Sequence, residues 1–455
     1  GERPRVVLSG SPAAALPRGA ACSRELTGRF LEFAATSGVP LAEQVVLPRY
    51  SGDLDERLAA GYAQAEAYLF RCWSLVGRFW ELNVDREAYF GQMEVHQHVG
   101  GDGVREEMLS RVALMPRLLN GGFCAPASCD RDRVAGEVIP RFLAHFLGFD
   151  VRLPPLPPAA EVAEVSHWSR FGLDFVVAGI NSCGSTSLLK NLEKHPDIVF
   201  TKSEEDDFFF QHNKILPYRH EVERFNSRWR SSGAAVRHSP HARMARGLSH
   251  PGLSHYARAR HALVRVPGLK VVSVVCDPLG RFEKVFWEMH LCRKRGPLDR
   301  KDPVTFGPER NGRCFERIGE ALQYPELIEH WNVAQDLGSM DALFGPRLWI
   351  LHQESLRLAG RAAYDGIAGF LGQRPFGAGS EFGRYNSARG HRTELCHNRS
   401  VIRGLKRLLA PEYQAIEALL QARGREVPEQ LRRRDSRCDR PEELRGDPFT
   451  KERGA

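Results

Sequence analysis

No uninterrupted apolar stretch in this 455-residue chain reaches the length of about 18 residues that a membrane-spanning helix needs. The chain also lacks the C-x-x-C pairs and the His/Cys clusters from which zinc sites are built. It contains no internal repeats. We therefore predict no membrane-spanning segment and no metal site in this sequence.

The overall composition is ordinary for a globular protein with a sizeable core. Apolar residues make up 42% of the chain and aromatic residues 9%, and the length predicts about two to three domains. The formal net charge is +8 and comes mostly from arginine. This charge favours anionic partners such as nucleotides, acidic glycans or nucleic acid, although a basic protein without such a partner has the same composition.

The ten cysteines are grouped along the chain. Cys124 and Cys129 form one group and Cys292 and Cys314 another, both in loop-like sequence, which is typical of disulfides in lumenal proteins. The triplet at Asn398 is a glycosylation sequon, which is expected in a glycoprotein. Because the sequence begins with Gly1, we expect a signal peptide or anchor to be removed or missing. We predict a location in the secretory pathway, with membrane contact only through such an anchor.

Proline and charge patterns divide the chain into four parts. Apolar residues recur at helical spacing from Asp53 to Leu119, with Leu58, Leu69 and Val76 on one face. A run of prolines then marks a stiff linker. The predicted parts are a small, mainly helical, disulfide-bearing N-terminal domain (1–152), a proline-rich linker (153–164), an α/β domain (165–422) and a charged, disordered tail (423–455).

A strand, a small-residue turn and a helix follow one another early in the α/β domain. The apolar run from Phe175 to Ala178 is typical of a buried parallel strand. The turn contains Gly179 and Gly184, and a helix is predicted to begin at Ser185 or Thr186. Backbone N–H groups and the positive end of a helix dipole meet at such a turn, which suits a phosphate. A crossover with a glycine turn and no ligand fits the same pattern.

The turn overlays the Walker pattern GxxxxGK[ST], but Ser185 stands where a nucleotide triphosphatase has its lysine. An ATPase or GTPase function therefore loses its main support. A nucleotide-phosphoryl enzyme of the wider P-loop class stays the least favoured of three hypotheses.

The flanking residues carry a resemblance to the sulfotransferase family. The stretch from Gly179 to Phe209 resembles the family's GxxKxGTT, LxxHPxI and KExxFF elements, and the stretch from Val266 to Arg281 resembles its PxxKxIxxxRxPxxR strand and turn. The resemblance implies a P-loop-type central parallel sheet flanked by helices, of the Golgi carbohydrate type. It also implies 3′-phosphoadenosine 5′-phosphosulfate (PAPS) as co-substrate, with no metal and no nucleic acid. The acceptor would be an anionic or hydroxylated glycan or a small molecule.

The resemblance assigns the donor site residue by residue. In the loop, the 5′-phosphate would meet Asn181, Ser182, Cys183, Gly184, Ser185, Thr186 and Ser187. The 3′-phosphate would meet Cys276, Arg281 and Lys284, and a late loop with Arg389 and Gly390 would close over the nucleotide. Ser182 and Cys276 replace the family's lysine and arginine. Lys190 and Lys202 are the predicted substitutes for the lost loop cation, and Lys284 for the arginine.

Glu205 aligns with the family's catalytic glutamate and is the predicted base. It lies in an unusually acidic run from Glu204 to Asp207, and crowded carboxylates raise one another's pKa toward neutrality. A solvated acidic turn fits the same residues. The leading hypothesis is an active sulfotransferase, and the alternative is a protein of that fold that binds a nucleotide or anionic glycan without catalysis.

Further segments support or extend the resemblance. Leu348–Leu351 is predicted to be a buried strand, Gly366–Leu371 a helix, and Leu405–Leu420 a final packing helix. The segment from Gly122 to Cys129 resembles part of the extracellular N-terminal domain of nose-resistant-to-fluoxetine-type proteins. A disulfide-stapled helical cap without a ligand is the interpretation that we favour for that region.

Overall fold

The computed structural model describes residues 22, 54–83, 122–141, 161–211, 214–231, 244–289, 318–323, 333–385 and 398–434. These residues belong to two compact units. The first contains most of the chain up to His167 together with Lys214–Glu223, and the second contains Gly52–Leu58, Trp168–Asn213 and the chain from Arg224 onward. The late loop with Arg389 and Gly390, and the cysteines Cys292 and Cys314, lie outside the described residues.

The described elements of the first unit are α1 (Leu54–Ser74, begun in the second unit), β1 (Gly77–Asn83), β2 (Gly122–Pro126), α2 (Arg131–Arg133) with a π-helical continuation (Val134–Val138), and β3 (Glu161–Glu164). The strands form an antiparallel sheet in the order β2-β1-β3. Disulfides join Cys22 to Cys129 and Cys72 to Cys124. The disulfide-bearing character of this region is thus confirmed, whereas its sheet was not predicted.

The helical pattern predicted from Asp53 to Leu119 is wrong from Gly77 to Asn83, which form β1, and its remainder at 84–119 lies outside the described residues. Val76 turns to a left-handed conformation with φ of 59° and is 77% exposed, and Gly77 then begins β1. A Cβ on Gly77 would lie 2.7 Å from the Cys124 sulfur and 2.9 Å from the Cys72 sulfur. The disulfide between helix and strand therefore leaves no room for a side chain at the point where the helix ends.

The second unit contains β4 (Phe175–Val177), α3 (Ser185–Leu192), β5 (Ile198–Phe200), α4 (Phe208–Gln211), α5 (Arg219–Ser231, begun in the first unit), β6 (Ala245–Ser249), α6 (Ala257–Leu263), β7 (Lys270–Val275), α7 (Pro278–Met289), α8 (Ala334–Phe344), β8 (Leu348–His352), α9 (Gln353–Ala359), α10 (Arg361–Leu371), α11 (Arg399–Leu408), α12 (Ala410–Ala422) and α13 (Glu429–Arg433). Short 3₁₀ segments cover Trp168–Arg170, Pro251–Ser254, Ile318–Gln323 and Gly345–Arg347.

The five strands of this unit form a parallel sheet in the order β5-β6-β4-β7-β8, with helices flanking it. This arrangement confirms the predicted α/β class. The central strand β4 is buried along its whole length, as its continuous apolar run indicates. The same unit contains an aromatic cluster made of Trp168, Phe171, Phe208, Phe209 and Phe225.

The folded chain continues past the predicted start of the disordered tail at residue 423. Val427 and Leu431 are buried, and α13 follows α12 after a short connection. Similarly, β3 lies inside the predicted linker, because Glu161–Asn83 pairing adds it to the sheet of the first unit. In both segments a few apolar side chains are buried, Val427 and Leu431 in the predicted tail and Val162 and Ala163 in the predicted linker.

No helix among the described residues is both long enough and apolar enough to cross a membrane. Within the same residues, no group of three or more His, Cys, Asp or Glu side chains is arranged to hold a metal ion.

Candidate functional site

The carboxyl ends of the parallel strands bring most of the predicted site residues to one edge of the sheet. The loop from Ala178 to Gly184 follows β4, His250 follows β6, Cys276 follows β7, and Gln353 follows β8. Ligands of open parallel sheets bind at this edge. Strand β4 lies between β6 and β7, so the loop has a neighbour on each side.

The loop after β4 has the geometry of an anion-binding turn. Ser182 and Gly184 both have left-handed backbone conformations, with φ of 68° and 98°. Helix α3 then begins at Ser185, and its first internal hydrogen bond runs from the Leu188 N–H to the Gly184 carbonyl, 3.1 Å apart. The amides of the first turn therefore have no acceptor inside the helix, and they point out of its positive end. Alternating left-handed residues before a helix are the backbone arrangement that cradles phosphates.

Close packing explains the two glycines of the loop. A Cβ on Gly179 would lie 3.1 Å from the Ser185 Cβ, so the turn can close only with a small residue there. At Gly184 the positive φ disfavours any side chain, and a Cβ would lie 3.1 Å from the side-chain nitrogen of Gln353. Gln353 therefore brings an amide donor against the loop. Sequence reasoning missed it, since a glutamine after a strand has no motif of its own.

Two of the predicted loop side chains are already engaged by the protein. The Ser187 hydroxyl donates to the Tyr385 carbonyl and accepts from the Tyr385 N–H, both at 2.9 Å. Cys183 is bonded to Cys276, and both are buried. Sequence analysis placed these cysteines separately at the two phosphates and did not predict that they are joined. No local pattern indicates this bond, because one cysteine lies in the loop after β4 and the other follows β7, the neighbouring strand in the sheet.

By contrast, the Asn181 and Ser182 side chains make no hydrogen bond within the described part of the chain. The Thr186 hydroxyl is likewise uncommitted there. All three are partly exposed. They are therefore available at the mouth of the turn.

Arg281 lies in the first turn of α7, just after β7, and its side chain is buried. Its guanidinium donates to both carboxylate oxygens of Glu412, at 3.1 Å and 2.9 Å, and both side chains are almost completely buried. The Arg281 charge is therefore already paired with Glu412, and its predicted contact with the 3′-phosphate stays a prediction. The sequence pattern did not reveal this pair, because Glu412 lies on another helix, 131 residues away along the chain.

The lysines differ in how far they are committed to other groups. Lys190 pairs with Glu193 at 3.4 Å on α3. Lys202 is exposed and Lys284 is half-buried on α7, and neither has a partner among the described residues. Within the part of the chain that the structure describes, Lys202 and Lys284 are therefore the predicted site cations whose charge is not already balanced.

The acidic run after β5 separates into residues with different roles. Asp206 is buried, where it accepts from the Phe208 N–H at 3.0 Å and pairs with Arg228 at 2.6 Å, so it caps α4. Glu205 is exposed, and its carboxylate makes no contact within the described residues. Its assignment as the base stays a prediction.

Asp207, the last acid of the run, is held by His250. The His250 Nε2 lies 3.0 Å from the Asp207 carboxylate, whose side chain is 49% exposed. The His250 Nδ1 accepts from the Gly252 N–H at 3.0 Å, so Nε2 carries the proton and donates it to Asp207. The His250 N–H also donates to the Val177 carbonyl at the end of β4. His250 is therefore bonded to the last residue of β4, directly before the loop begins. The sequence analysis did not single out this pair.

A hydrogen-bonded network holds the beginning of the loop at Gly179. The Ser254 hydroxyl donates to the Gly179 carbonyl at 3.2 Å, and the Arg260 guanidinium donates to the Ser254 carbonyl at 2.6 Å. Arg260 also pairs with Asp336 at 2.9 Å and with Asp55 at 3.3 Å. The hydrogen bond from His261 is the main reason that the pKa of the Asp55 carboxyl lies well below its usual range. This network fixes the first peptide of the loop.

No protein-family model matches the sequence, and no curated protein does. Among solved structures, a sulfotransferase from Alicyclobacillus acidocaldarius is similar to 57% of this chain and 98% of its own, with 17% sequence identity and a TM-score of 0.37.

Proposed function

We propose that this protein is a PAPS-dependent sulfotransferase that transfers a sulfuryl group to a hydroxyl of a glycan or another hydroxylated acceptor. The observation that carries the proposal is the placement of an open anion-binding turn and a half-exposed carboxylate, Asp207, at the same edge of the sheet. The sulfotransferase-like motifs in the sequence cover the same two segments.

The reaction needs a donor site and a proton acceptor. The amides at the start of α3 and the side chain of Gln353 would hold the 5′-phosphate group. The acceptor oxygen bonds to sulfur while the bond from sulfur to the phosphate oxygen breaks, which releases adenosine 3′,5′-bisphosphate. The acceptor's proton passes to a carboxylate at the sheet edge.

Asp207 supports this last role better than Glu205 does. A base must be held in position, and His250 orients the Asp207 carboxylate while leaving about half of its side chain accessible. Glu205, which the resemblance points to, lacks such an orienting contact among the described residues. We therefore propose Asp207 as the base and His250 as its positioning residue.

The positive charges that would bind the phosphates of PAPS come from positions outside the family motif. Ser182 stands in place of the loop lysine, and losing one well-placed donor costs about 2.7–4 kcal/mol of transition-state stabilisation. Lys202 lies after β5 and is proposed to supply the missing charge, with Lys190 the less suitable candidate because it already pairs with Glu193. Lys284 is proposed to meet the 3′-phosphate, with point-charge rather than bidentate recognition.

The direct test is transfer of labelled sulfate from PAPS to a panel of glycans and small hydroxylated acceptors. Asp207→Asn is expected to lower the transfer rate about 10²–10⁴-fold without weakening donor binding, because general bases contribute that much. Glu205→Gln is the matched control and is expected to leave the rate unchanged. If Glu205→Gln abolished transfer and Asp207→Asn did not, the assignment from the sequence motif would replace ours.

A second candidate is a nucleotide-binding protein of the same fold without transfer activity. Two observations favour it: the Arg281 charge is neutralised in the interior by Glu412, and Ser182 has no charge to offer. Saturable binding of adenosine 3′,5′-bisphosphate with no transfer to any acceptor would support this candidate. The absence of both binding and transfer would contradict both functions.

We also propose that the protein works in an oxidising compartment of the secretory pathway. Three disulfides join all six cysteines among the described residues. Such bonds persist in that environment and are rare in the cytosol.

A further inference from the structure

The disulfide between Cys183 and Cys276 lies inside the proposed donor site. Cys183 stands in the loop between the two left-handed residues, Ser182 and Gly184, and is fully buried. Cys276 directly follows β7, the strand next to β4 in the sheet. The bond therefore ties the middle of the phosphate-binding turn to the neighbouring strand.

Few other interactions hold the middle of this loop. Its beginning is fixed by the bonds from the Ile180 N–H to the Val274 carbonyl and from Ser254 to Gly179. Its middle has only the Cys183 N–H bond to Ile180, at 3.1 Å, while the Asn181 and Ser182 side chains make no hydrogen bond within the described residues. Left-handed conformation at Ser182 is also unfavourable for a residue with a side chain. The covalent bond therefore supplies restraint that hydrogen bonds do not.

We infer that this disulfide is a covalent restraint that holds the loop ready for donor binding, so that opening it weakens binding. With the bond closed, the turn is held in the phosphate-binding conformation before the ligand arrives, so binding does not have to order it. Reduction by a dithiol would give two thiols in the protein and a disulfide in the reductant, and it would release the loop. The identity of the ligand rests on the proposed function, whereas the restraint on the loop does not.

Thermodynamic linkage gives the inference a reciprocal consequence. If the closed form binds the nucleotide more tightly by some factor, bound nucleotide must make the disulfide harder to reduce by the same factor. Ordering the backbone of one residue costs about 1–2 kcal/mol, so freeing a single loop residue predicts about a tenfold change in affinity.

The first experiment is calorimetric titration with adenosine 3′,5′-bisphosphate. The variant that combines Cys183→Ser with Cys276→Ser is expected to bind about tenfold more weakly than the unchanged protein. The matched control combines Cys72→Ser with Cys124→Ser, which removes a disulfide of the other unit and is expected to leave affinity unchanged. Equal affinity of the loop variant and the unchanged protein would overturn the inference.

A second measurement needs neither the variant nor a ligand. Amide hydrogen exchange of Cys183, whose N–H donates to the Ile180 carbonyl, is compared before and after partial reduction of the unchanged protein. Thiol labelling and mass spectrometry identify which disulfide has opened. Exchange is expected to be about tenfold faster when Cys183 and Cys276 are labelled. Unchanged exchange would overturn the inference even if the protein binds no nucleotide. Faster exchange without any nucleotide binding would uphold the restraint and contradict the proposed function.

Discussion

Arg281 and Glu412 form an ion pair in the interior of the α/β unit, and both side chains are almost completely buried. Removing one partner of such a pair leaves the other charge unpaired in an apolar environment. Arg281→Met is therefore expected to lower the free energy of unfolding by about 3–5 kcal/mol, measured by chemical denaturation. The combination of Arg281→Met with Glu412→Leu is expected to recover most of that loss, because both charges are then absent.

The same double variant tests whether Arg281 has a role at the donor site. If the ion pair is purely structural, a folded double variant binds adenosine 3′,5′-bisphosphate as the unchanged protein does. A large loss of affinity in that folded variant would restore the contact with the 3′-phosphate that the sequence resemblance implies.

His352 makes stability depend on pH in the acidic range. Burial lowers the pKa of its imidazole from 6.5 to about 4, and its Nε2 has no hydrogen-bond partner among the described residues. The unfolded chain therefore takes up the proton first, and stability falls as the pH drops from 6.5 toward 4. The shift predicts that the free energy of unfolding falls by about 3 kcal/mol over this pH range.

His352→Gln is the variant that checks this dependence. Urea titrations of the unchanged protein and the variant at several pH values between 4 and 7 are expected to show a shallower slope for the variant. Parallel slopes would mean that other groups account for the acid sensitivity.

At the scale of whole elements, Gly247 lets two central strands approach each other. A Cβ there would lie 2.1 Å from the ring of Phe175 on β4, which is too close for any side chain. Gly247→Ala is expected to destabilise the protein by about 1–3 kcal/mol through overpacking. Gly369 provides the control on α10, since a Cβ there meets nothing within 4 Å. Gly369→Ala is expected to stabilise by about 0.5–1 kcal/mol. Thermal unfolding of both variants measures the difference, and equal effects would contradict the packing argument.

Local pattern predicted the elements around the loop well. The strand at Phe175, the helix beginning at Ser185 and the strand beginning at Leu348 are confirmed within a residue or two. These elements were predictable because buried parallel strands are continuous apolar runs and because glycine marks the turn.

Other elements depended on contacts that no local pattern records. The helix predicted for Leu405–Leu420 is two helices, α11 and α12, which meet at Leu409 before Pro411. Proline has no N–H to continue the first helix and is favoured at the start of the next. The Asp207–His250 pair and the Cys183–Cys276 bond were not predictable for a related reason, since each joins residues that follow different strands of the sheet.

At the scale of the whole molecule, the two compact units are assembled from separated stretches of chain. The boundary predicted from prolines at 153–164 follows the order of the chain. The first unit, however, also takes in Lys214–Glu223, and the second takes in Gly52–Leu58. A boundary predicted from composition divides the chain at one point, so it does not reveal segments that belong to the unit on the other side of the boundary.

The first unit is expected to respond to pH in the opposite direction to His352. Burial raises the pKa of the Glu81 carboxyl from 4.5 to about 7. The unfolded chain therefore loses this proton first as the pH rises, and stability falls between pH 4.5 and 7 by about 3 kcal/mol. Glu81→Gln is expected to remove this loss, so scanning calorimetry at pH 8 should show the variant unfolding at a higher temperature. A lower unfolding temperature would contradict the assignment of burial as the dominant effect.

Nucleotide binding tests the central claim most directly. Calorimetric titration of the full chain with adenosine 3′,5′-bisphosphate is predicted to show saturable binding. Lys284→Ala is predicted to weaken it about tenfold or more, because a charge-assisted hydrogen bond is lost. Lys406→Ala, on α11, is the control and is predicted to leave affinity unchanged. The absence of any binding heat, confirmed by an unshifted unfolding temperature at saturating nucleotide, would contradict the claim that the turn before α3 is a nucleotide phosphate site.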